Sequence, residues 1–290
     1  MSVTDWEGFP FQGIGTDWEI STPLLLTAPL RARLLDRVER FDAAWSRFRA
    51  DSLIAGMARK PGRYRFPDEA AALGRLYSTL YGLTGGAMTP LIGGSLEQLG
   101  YGPGYALQPA GPPLPAPAWE SVLSWSGADV AAREPVVLDI GAAGKGLLVD
   151  LLAAELEAAG AGSFIIDASG DLLAHGPEPI SVALEHPYNP EQAIGVVELA
   201  GRALCASAAN RRSWGDGLHH VLDGTTGWPV RTAVATWAVA DTAMLADTLA
   251  TALFFVPGTA LQEEFDFSWL TVFSDGSAAY SAAFEGTLFS

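Results

Sequence analysis

Apolar residues recur along this chain with two different spacings, and the change from one to the other marks its elements. Over 28–50, Leu30, Leu34, Val38, Phe41 and Trp45 fall three or four apart with arginines between them, which predicts an amphipathic helix. A second helix is predicted over 67–82, opened by Pro67 and Asp68. The segment 13–20 reads as a glycine turn feeding a strand, and 135–140 as a short buried strand. An apolar helical run follows over 147–160, and 163–174 reads as strand, turn, strand. Further strands are predicted over 180–187, 193–200, 202–208 and 232–240, and 219–230 reads as a strand ending in a glycine turn. A helix over 241–256 and a hairpin through Ser274-Asp275-Gly276 close the chain. Between these, 84–118 is crowded with glycine and proline and predicts loop with one short helical piece. Its run Pro109–Pro117 suits either a lobe-joining linker or a surface strap. No repeat stands out, and antiparallel hairpins mixed with helices predict an α+β fold.

Composition narrows the function classes. The chain has 290 residues, 49% of them apolar, enough for one large core without staples. Its formal net charge of −16 repels phosphate backbones and anionic membranes at long range, which argues against nucleic acid as a partner. An anionic ligand therefore needs a local positive site: a helix N-terminus, a lysine or a metal ion. Cys205 is the only cysteine, so no intrachain disulfide forms, and with four histidines the chain offers no zinc-like cluster. The N-terminal segment lacks a basic start and an apolar run, and no stretch has the uninterrupted apolar length of a membrane helix. No membrane insertion and a cytoplasmic location are the expectation.

Three segments are able to carry chemistry. In Asp139–Gly146 a strand runs into glycines and then into a helix whose first turn holds Lys145, a pattern suited to phosphate. Gly146 stands where a Walker A loop needs Ser or Thr, and the glycine spacing does not match a Rossmann fingerprint. A tight turn with a solvated lysine is the alternative. Asp247 and Thr251 lie four apart on a predicted helix, so both oxygens share a face and suit a hard cation such as Mg²⁺. The alternative is an aspartate favoured by the helix dipole and a threonine bonded to its own backbone. In the third, His219 and His220 alternate faces on a predicted strand, so that one can face a cleft as a candidate proton acceptor while the other packs or is solvated; the alternative is a hydrogen-bonded structural histidine.

Taken in order, these segments and others resemble the ApbE-like flavin transferases, a family of FAD:protein FMN transferases, over nearly the whole chain. Ile14-Gly15-Thr16-Asp17-Trp18 is similar to the family's opening strand, and Ser46, Phe48 and Ser52 to its Ser-x-Tyr-x-x-x-Ser segment. Thr84–Pro90, Gly100-Tyr101-Gly102 and Asp139–Gly146, with Asp150 beyond, follow at the family's positions. So do Ser169-Gly170-Asp171, Ala206-Ser207-Ala208, His220–Pro229 and Ala246–Ala252. The resemblance implies a T-fold-like single large domain with two lobes and mixed or antiparallel sheets, spanning 1–290 with a lobe junction near 105–118. It implies cleavage of the FAD pyrophosphate and transfer of FMN to a Ser or Thr hydroxyl of an acceptor protein, with release of AMP. It implies Mg²⁺ held by Asp247, Thr251 and the backbone carbonyl of Ala142, and His220 as general base. It implies FAD contacts at Ile14, Phe48, Ala87, Met88, Thr89, Asp139, Lys145 and Ser207. The chain departs from the pattern where Thr89 replaces an acidic residue, Gly224 a proline, Ile14 a methionine and Phe48 a tyrosine, and where Ala206 and Ala208 flank Ser207. An asparagine common after Ser52 is also missing, with Ala58 or a neighbour in its place. Two alternatives share these residues: an FAD pyrophosphatase yielding FMN and AMP, and a non-catalytic flavin-binding protein.

Overall fold

The tightest local geometry in the chain is a two-residue hairpin turn. Ile14 and Gly15 both have positive φ, +42° and +82°, the type I′ arrangement whose twist matches antiparallel strands. They join Glu7–Gly13 to Thr16–Thr22 in full register. The chain is described by a computed structural model covering residues 6–289; the first five residues of the N-terminal segment lie outside it. That hairpin forms one edge of an eight-stranded sheet. Phe164–Asp167, Asp171–His175, Ala203–Ala208, Ala233–Ala240, Ser268–Phe273 and Ala278–Tyr280 follow in that spatial order. Every neighbouring pair is antiparallel.

Both faces of this sheet are buried, which is why its central strands are apolar at nearly every position. From Ala233–Ala240, Ala238 and Ala240 pack toward the helices Ala28–Trp45, Gly144–Ala158 and Ala243–Ala252. Ala235, Trp237 and Val239 point the other way, into a second core with Leu184, Val197 and Leu199. Those three belong to a smaller sheet of Ile180–His186, Asn189–Leu199 and Gly286–Leu288. A third sheet joins Gly62–Arg65, Asp129–Ala132 and Leu123–Ser126. The α+β reading thus holds, with antiparallel sheets and helices interspersed. No helix among the described residues is long and apolar enough to cross a membrane.

Three elements differ from the sequence reading. The helix predicted over 28–50 stops at Trp45, because Arg47 turns inward and Ser52 caps a new helix, Leu53–Arg59, by accepting the Ala55 N–H at 3.0 Å. Residues 135–140 join no sheet. They bury Val136, Leu138 and Ile140 alternately, as a strand would, but hold to the neighbouring chain through Asp139 N–H to the Pro90 carbonyl at 2.7 Å. Of 219–230, only Leu218–His219 pairs as a strand, with one further bridge between Leu222 and Pro229. The proline-rich run is mostly exposed and is tied down where Ala116 N–H reaches the Gly224 carbonyl at 2.8 Å.

Candidate active site

Two helix N-termini meet at the helical face of the large sheet. A Cβ on Gly146 would lie 2.1 Å from the Ala243 carbonyl oxygen and 2.8 Å from Asp247 Cβ, so the close approach of these helices requires glycine there. The approach lets Gly146 N–H donate to Asp247 Oδ2 at 2.9 Å. One turn along, Asp150 accepts the N–H groups of Ala243 and Met244 at 2.8 and 2.9 Å and caps the second helix from outside. Burial pushes the Asp150 carboxyl up to about 6 against the pull of those two donors, so at neutral pH it places negative charge at a helix N-terminus. Asp150→Ala is expected to lose about 1–2 kcal/mol of stability, the usual value of such a cap. Urea denaturation measures it, and an unchanged midpoint would mean that the two N–H groups find other partners.

Above this junction lies a cavity of about 290 Å³. Asp139, Ala142, Lys145, Ser207, Asp247 and Thr251 line its polar side. Ala87, Met88, Thr89 and His220 line it too. Ile14 and Phe48 are not in it; they line an adjoining cavity of about 530 Å³. The two cavities share Asp139, Gly141, Lys145 and Arg212. The second is walled by aromatic rings: Phe48 stacks on Tyr105 with centroids 5.2 Å apart and planes 12° apart, and Tyr101 stacks on Trp214 at 5.3 Å. The Arg47 guanidinium lies 4.2 Å from the centroid of the Phe48 ring.

The charges are arranged in pairs. Lys145 Nζ lies 2.8 Å from Asp171 Oδ2, and Asp171 is wholly buried. Burial opposes the lysine's charge, but Asp171 and Asp247 outweigh it and hold Lys145 above its ordinary pKa. Asp247 is also buried; desolvation and the Asp171 carboxylate push its carboxyl up to about 8, against Lys145 and the Gly146 N–H. Burial likewise opposes ionisation of Asp139, but the Arg47 guanidinium and the Gly141 N–H, 2.6 Å from Oδ1, hold its carboxyl below the usual range. Arg47 bonds Asp139 Oδ2 through Nε and the Tyr101 carbonyl through Nη1 at 2.7 Å. Ser207 Oγ and Thr251 Oγ1 are 3.1 Å apart. Among the described residues no three His, Cys, Asp or Glu side chains converge as a metal cluster. Among the oxygen-bearing side chains that line the cavity, Asp247, Thr251 and Ser207 lie together, beside the glycine turn.

A family model, that of the ApbE family, matches residues 14–266. The chain belongs to the ApbE family. Among curated proteins it is 34% identical over 139 residues to an FAD:protein FMN transferase of Rhodobacter capsulatus, covering 45% of this chain and 26% of that protein. It is 28% identical over 195 residues to an FAD:protein FMN transferase of Haemophilus influenzae, covering 59% of this chain and 56% of that one. The matches thus span about a quarter and a little over half of these relatives. Solved structures share the fold at low identity. The ApbE protein of Thermotoga maritima gives a TM-score of 0.81 at 22% identity, covering 97% of this chain and 99% of its own. The flavin transferase ApbE of Vibrio cholerae gives 0.79 at 20% identity, covering 97% and 98%.

Within this ApbE chain, two of the departures from the family pattern touch each other. Gly224 N–H donates to the Ala87 carbonyl at 2.7 Å, a bond that a proline cannot make. A Cβ at 224 would meet Thr89 Cγ2 at 2.6 Å and the Gly86 carbonyl at 2.7 Å. Thr89 in turn caps the short helix Pro90–Ile92, accepting the Leu91 N–H at 3.2 Å. Ile14, a branched residue, is held in the left-handed region by the hairpin.

The strand ends at His219, so His220 lies just beyond it, and the two histidines line different cavities. His220 lines the site, while His219 lies in a separate shallow cavity with its Nε2 2.8 Å from the Val230 carbonyl. Sequence reasoning gave no site role to Arg47, Tyr77, Asp171 or Arg212. Arg47 falls among the arginines of the helix predicted over 28–50, and Tyr77 within the helix predicted over 67–82. The Arg211-Arg212 pair after Ser207 was a legible basic signal in an acidic chain.

Proposed function

We propose that this chain is a Mg²⁺-dependent FAD:protein FMN transferase, which cleaves the FAD pyrophosphate, attaches FMN to a Ser or Thr hydroxyl of an acceptor protein and releases AMP. The reading rests on one arrangement: Asp247, Thr251, Lys145 and His220 line a single cavity that adjoins an aromatic-walled one. The activity named for the Rhodobacter and Haemophilus relatives agrees with it.

The residues fit Mg²⁺. Asp247 Oδ2 takes the Gly146 N–H, and no hydrogen bond among the described residues reaches Oδ1. Its carboxyl is pushed up by burial near Asp171, so a cation beside it supplies the charge compensation that the protein lacks. Thr251 lies one turn on, and Ala142, whose carbonyl would be the third ligand, lines the same cavity. When bound, the ion neutralises charge growing on the phosphoryl oxygens. Lys145, Arg212 and the N-terminus of Gly144–Ala158 hold the pyrophosphate against the repulsion of an acidic protein. The rings of Phe48 and Tyr105 offer a stacking wall to a planar ring system. His220 takes the proton from the acceptor hydroxyl as its oxygen bonds the FMN phosphorus; the bond from that phosphorus to the bridging oxygen breaks, and AMP leaves with the bridging oxygen.

Intact-mass measurement of an acceptor protein carrying a Ser/Thr-Gly-Ala-Ser/Thr segment, after incubation with FAD and Mg²⁺, tests the reading. One covalent FMN per acceptor, with equimolar AMP, is expected. Free FMN and AMP with an unmodified acceptor would replace transfer by hydrolysis, and unconsumed FAD would overturn both.

A further inference from the structure

Tyr77 is a core residue by position and a site residue by its hydroxyl. It sits on the buried face of the helix Ala70–Leu83 with Leu73, Gly74, Leu76 and Leu80, and is 1% exposed. A phenylalanine would fill that face equally well. Tyr77 nevertheless lines the polar cavity; the Ala142 backbone N–H approaches its oxygen as a donor, and among the described residues no acceptor takes the hydroxyl proton. A buried O–H without an acceptor is unfavourable by about 1–3 kcal/mol, so its retention calls for something that accepts from it.

Its surroundings show where that something lies. Burial raises the phenol's pKa, and the carboxylates of Asp139 and Asp247 raise it further; the Ala142 backbone acts in the opposite sense. The hydroxyl therefore keeps its proton, and it lies at the glycine turn near Asp139, Ala142 and Asp247; Tyr77 lines the polar cavity and not the aromatic-walled one. It is a donor aimed where acceptors of a bound ligand would sit.

We propose that the Tyr77 hydroxyl donates a hydrogen bond to a phosphoryl oxygen of the bound dinucleotide, fixing the pyrophosphate at the glycine turn. This rests on the FAD reading of the cavity. It makes Tyr77 a substrate-contacting residue that a chain carrying phenylalanine there would lack.

The test is Y77F, which keeps the ring and removes one oxygen. A hydrogen bond to a charged oxygen predicts about 10- to 100-fold weaker binding of FAD and of ADP, which has the pyrophosphate without the flavin. Affinity for riboflavin, which has no phosphate, is expected to stay the same. The ligand-free thermal midpoint is expected to hold or rise, since an unsatisfied polar group has been removed, while the upward shift given by FAD shrinks. Wild-type protein that binds neither FAD nor ADP would remove the FAD reading and this inference together. Normal wild-type binding with an equal affinity in Y77F would remove the inference alone. So would a loss confined to riboflavin, or a lowered ligand-free midpoint, which would make the hydroxyl a structural group.

Discussion

Asp247→Ala is expected to lower Mg²⁺-dependent FAD turnover by roughly 10²–10³-fold, the scale of several kcal/mol of metal-assisted charge stabilisation. On the proposed function the side chain has two tasks. Oδ2 receives the Gly146 N–H and so ties two helix N-termini together, and Oδ1 remains for a cation. Alanine removes both, but it also removes a buried carboxylate that sits near Asp171 and is only partly compensated by Lys145. The structural loss is therefore about one hydrogen bond, near 1 kcal/mol, and the fold should persist. Asp247→Asn separates the tasks: its amide oxygen still accepts from Gly146, while the negative charge is gone. Near-wild-type stability with strongly reduced turnover in the Asp247→Asn variant, measured by thermal melting and by AMP release across a Mg²⁺ titration, would place the defect at the cation. Turnover equal to wild type at limiting Mg²⁺ would remove Asp247 from the metal site.

The fold was readable where a pattern runs long enough to have a period. Leu30 to Trp45, the run 147–158 and the strand 233–240 each repeat an apolar face several times, and all three form near their predicted places. The sheet of Gly62–Arg65, Leu123–Ser126 and Asp129–Ala132 was not readable, because its strands have four residues each and its pairing is set by distant partners. Val136, Leu138 and Ile140 show the converse: alternation reports burial, and a buried extended segment need not join a ladder. In the site, spacing revealed the pairs that lie on one element, such as Asp247 with Thr251. It was silent on pairs made across the fold. Arg47 meets Asp139 and Lys145 meets Asp171 only after helices and sheet have packed, and the cost of leaving such charges unpaired inside a protein is what selects the partners. Tyr77 was hidden for a simpler reason: a tyrosine at a core position looks like any other ring until the surroundings of its oxygen are known.

His220→Ala is expected to slow FMN transfer roughly 10²–10⁴-fold, the range for loss of a general base, with a much smaller effect on FAD affinity. His219→Ala serves as the control. Its ring bonds the Val230 carbonyl outside the site, so it should lower stability by about 1 kcal/mol and leave the rate of transfer nearly intact. The protonation of His220 supplies an independent readout. Burial, then Arg212 and His219, pull its pKa down to about 3, against Asp139 and the Arg212 backbone. The free enzyme thus holds a neutral imidazole throughout the pH range 5–8, and kcat/KM should show no inflection from His220 near its ordinary value of about 6.5. On the proposed function, an anionic pyrophosphate entering the cavity would raise the basicity of the ring and bring its proton affinity toward the working pH only when substrate is present. The same burial has a thermodynamic signature. The folded pKa is depressed, so the unfolded chain takes up the proton first as pH falls below about 6.5, and stability declines progressively toward pH 3. The full difference is on the order of 5 kcal/mol, and His220→Ala should flatten that part of the acid limb while His219→Ala leaves most of it. Denaturant titrations between pH 7 and 4 measure the limb, and FMN incorporated per minute measures the base. A crippled His219→Ala enzyme beside an active His220→Ala one would reverse the assignment, and full activity in both would leave proton removal to another group in the cavity.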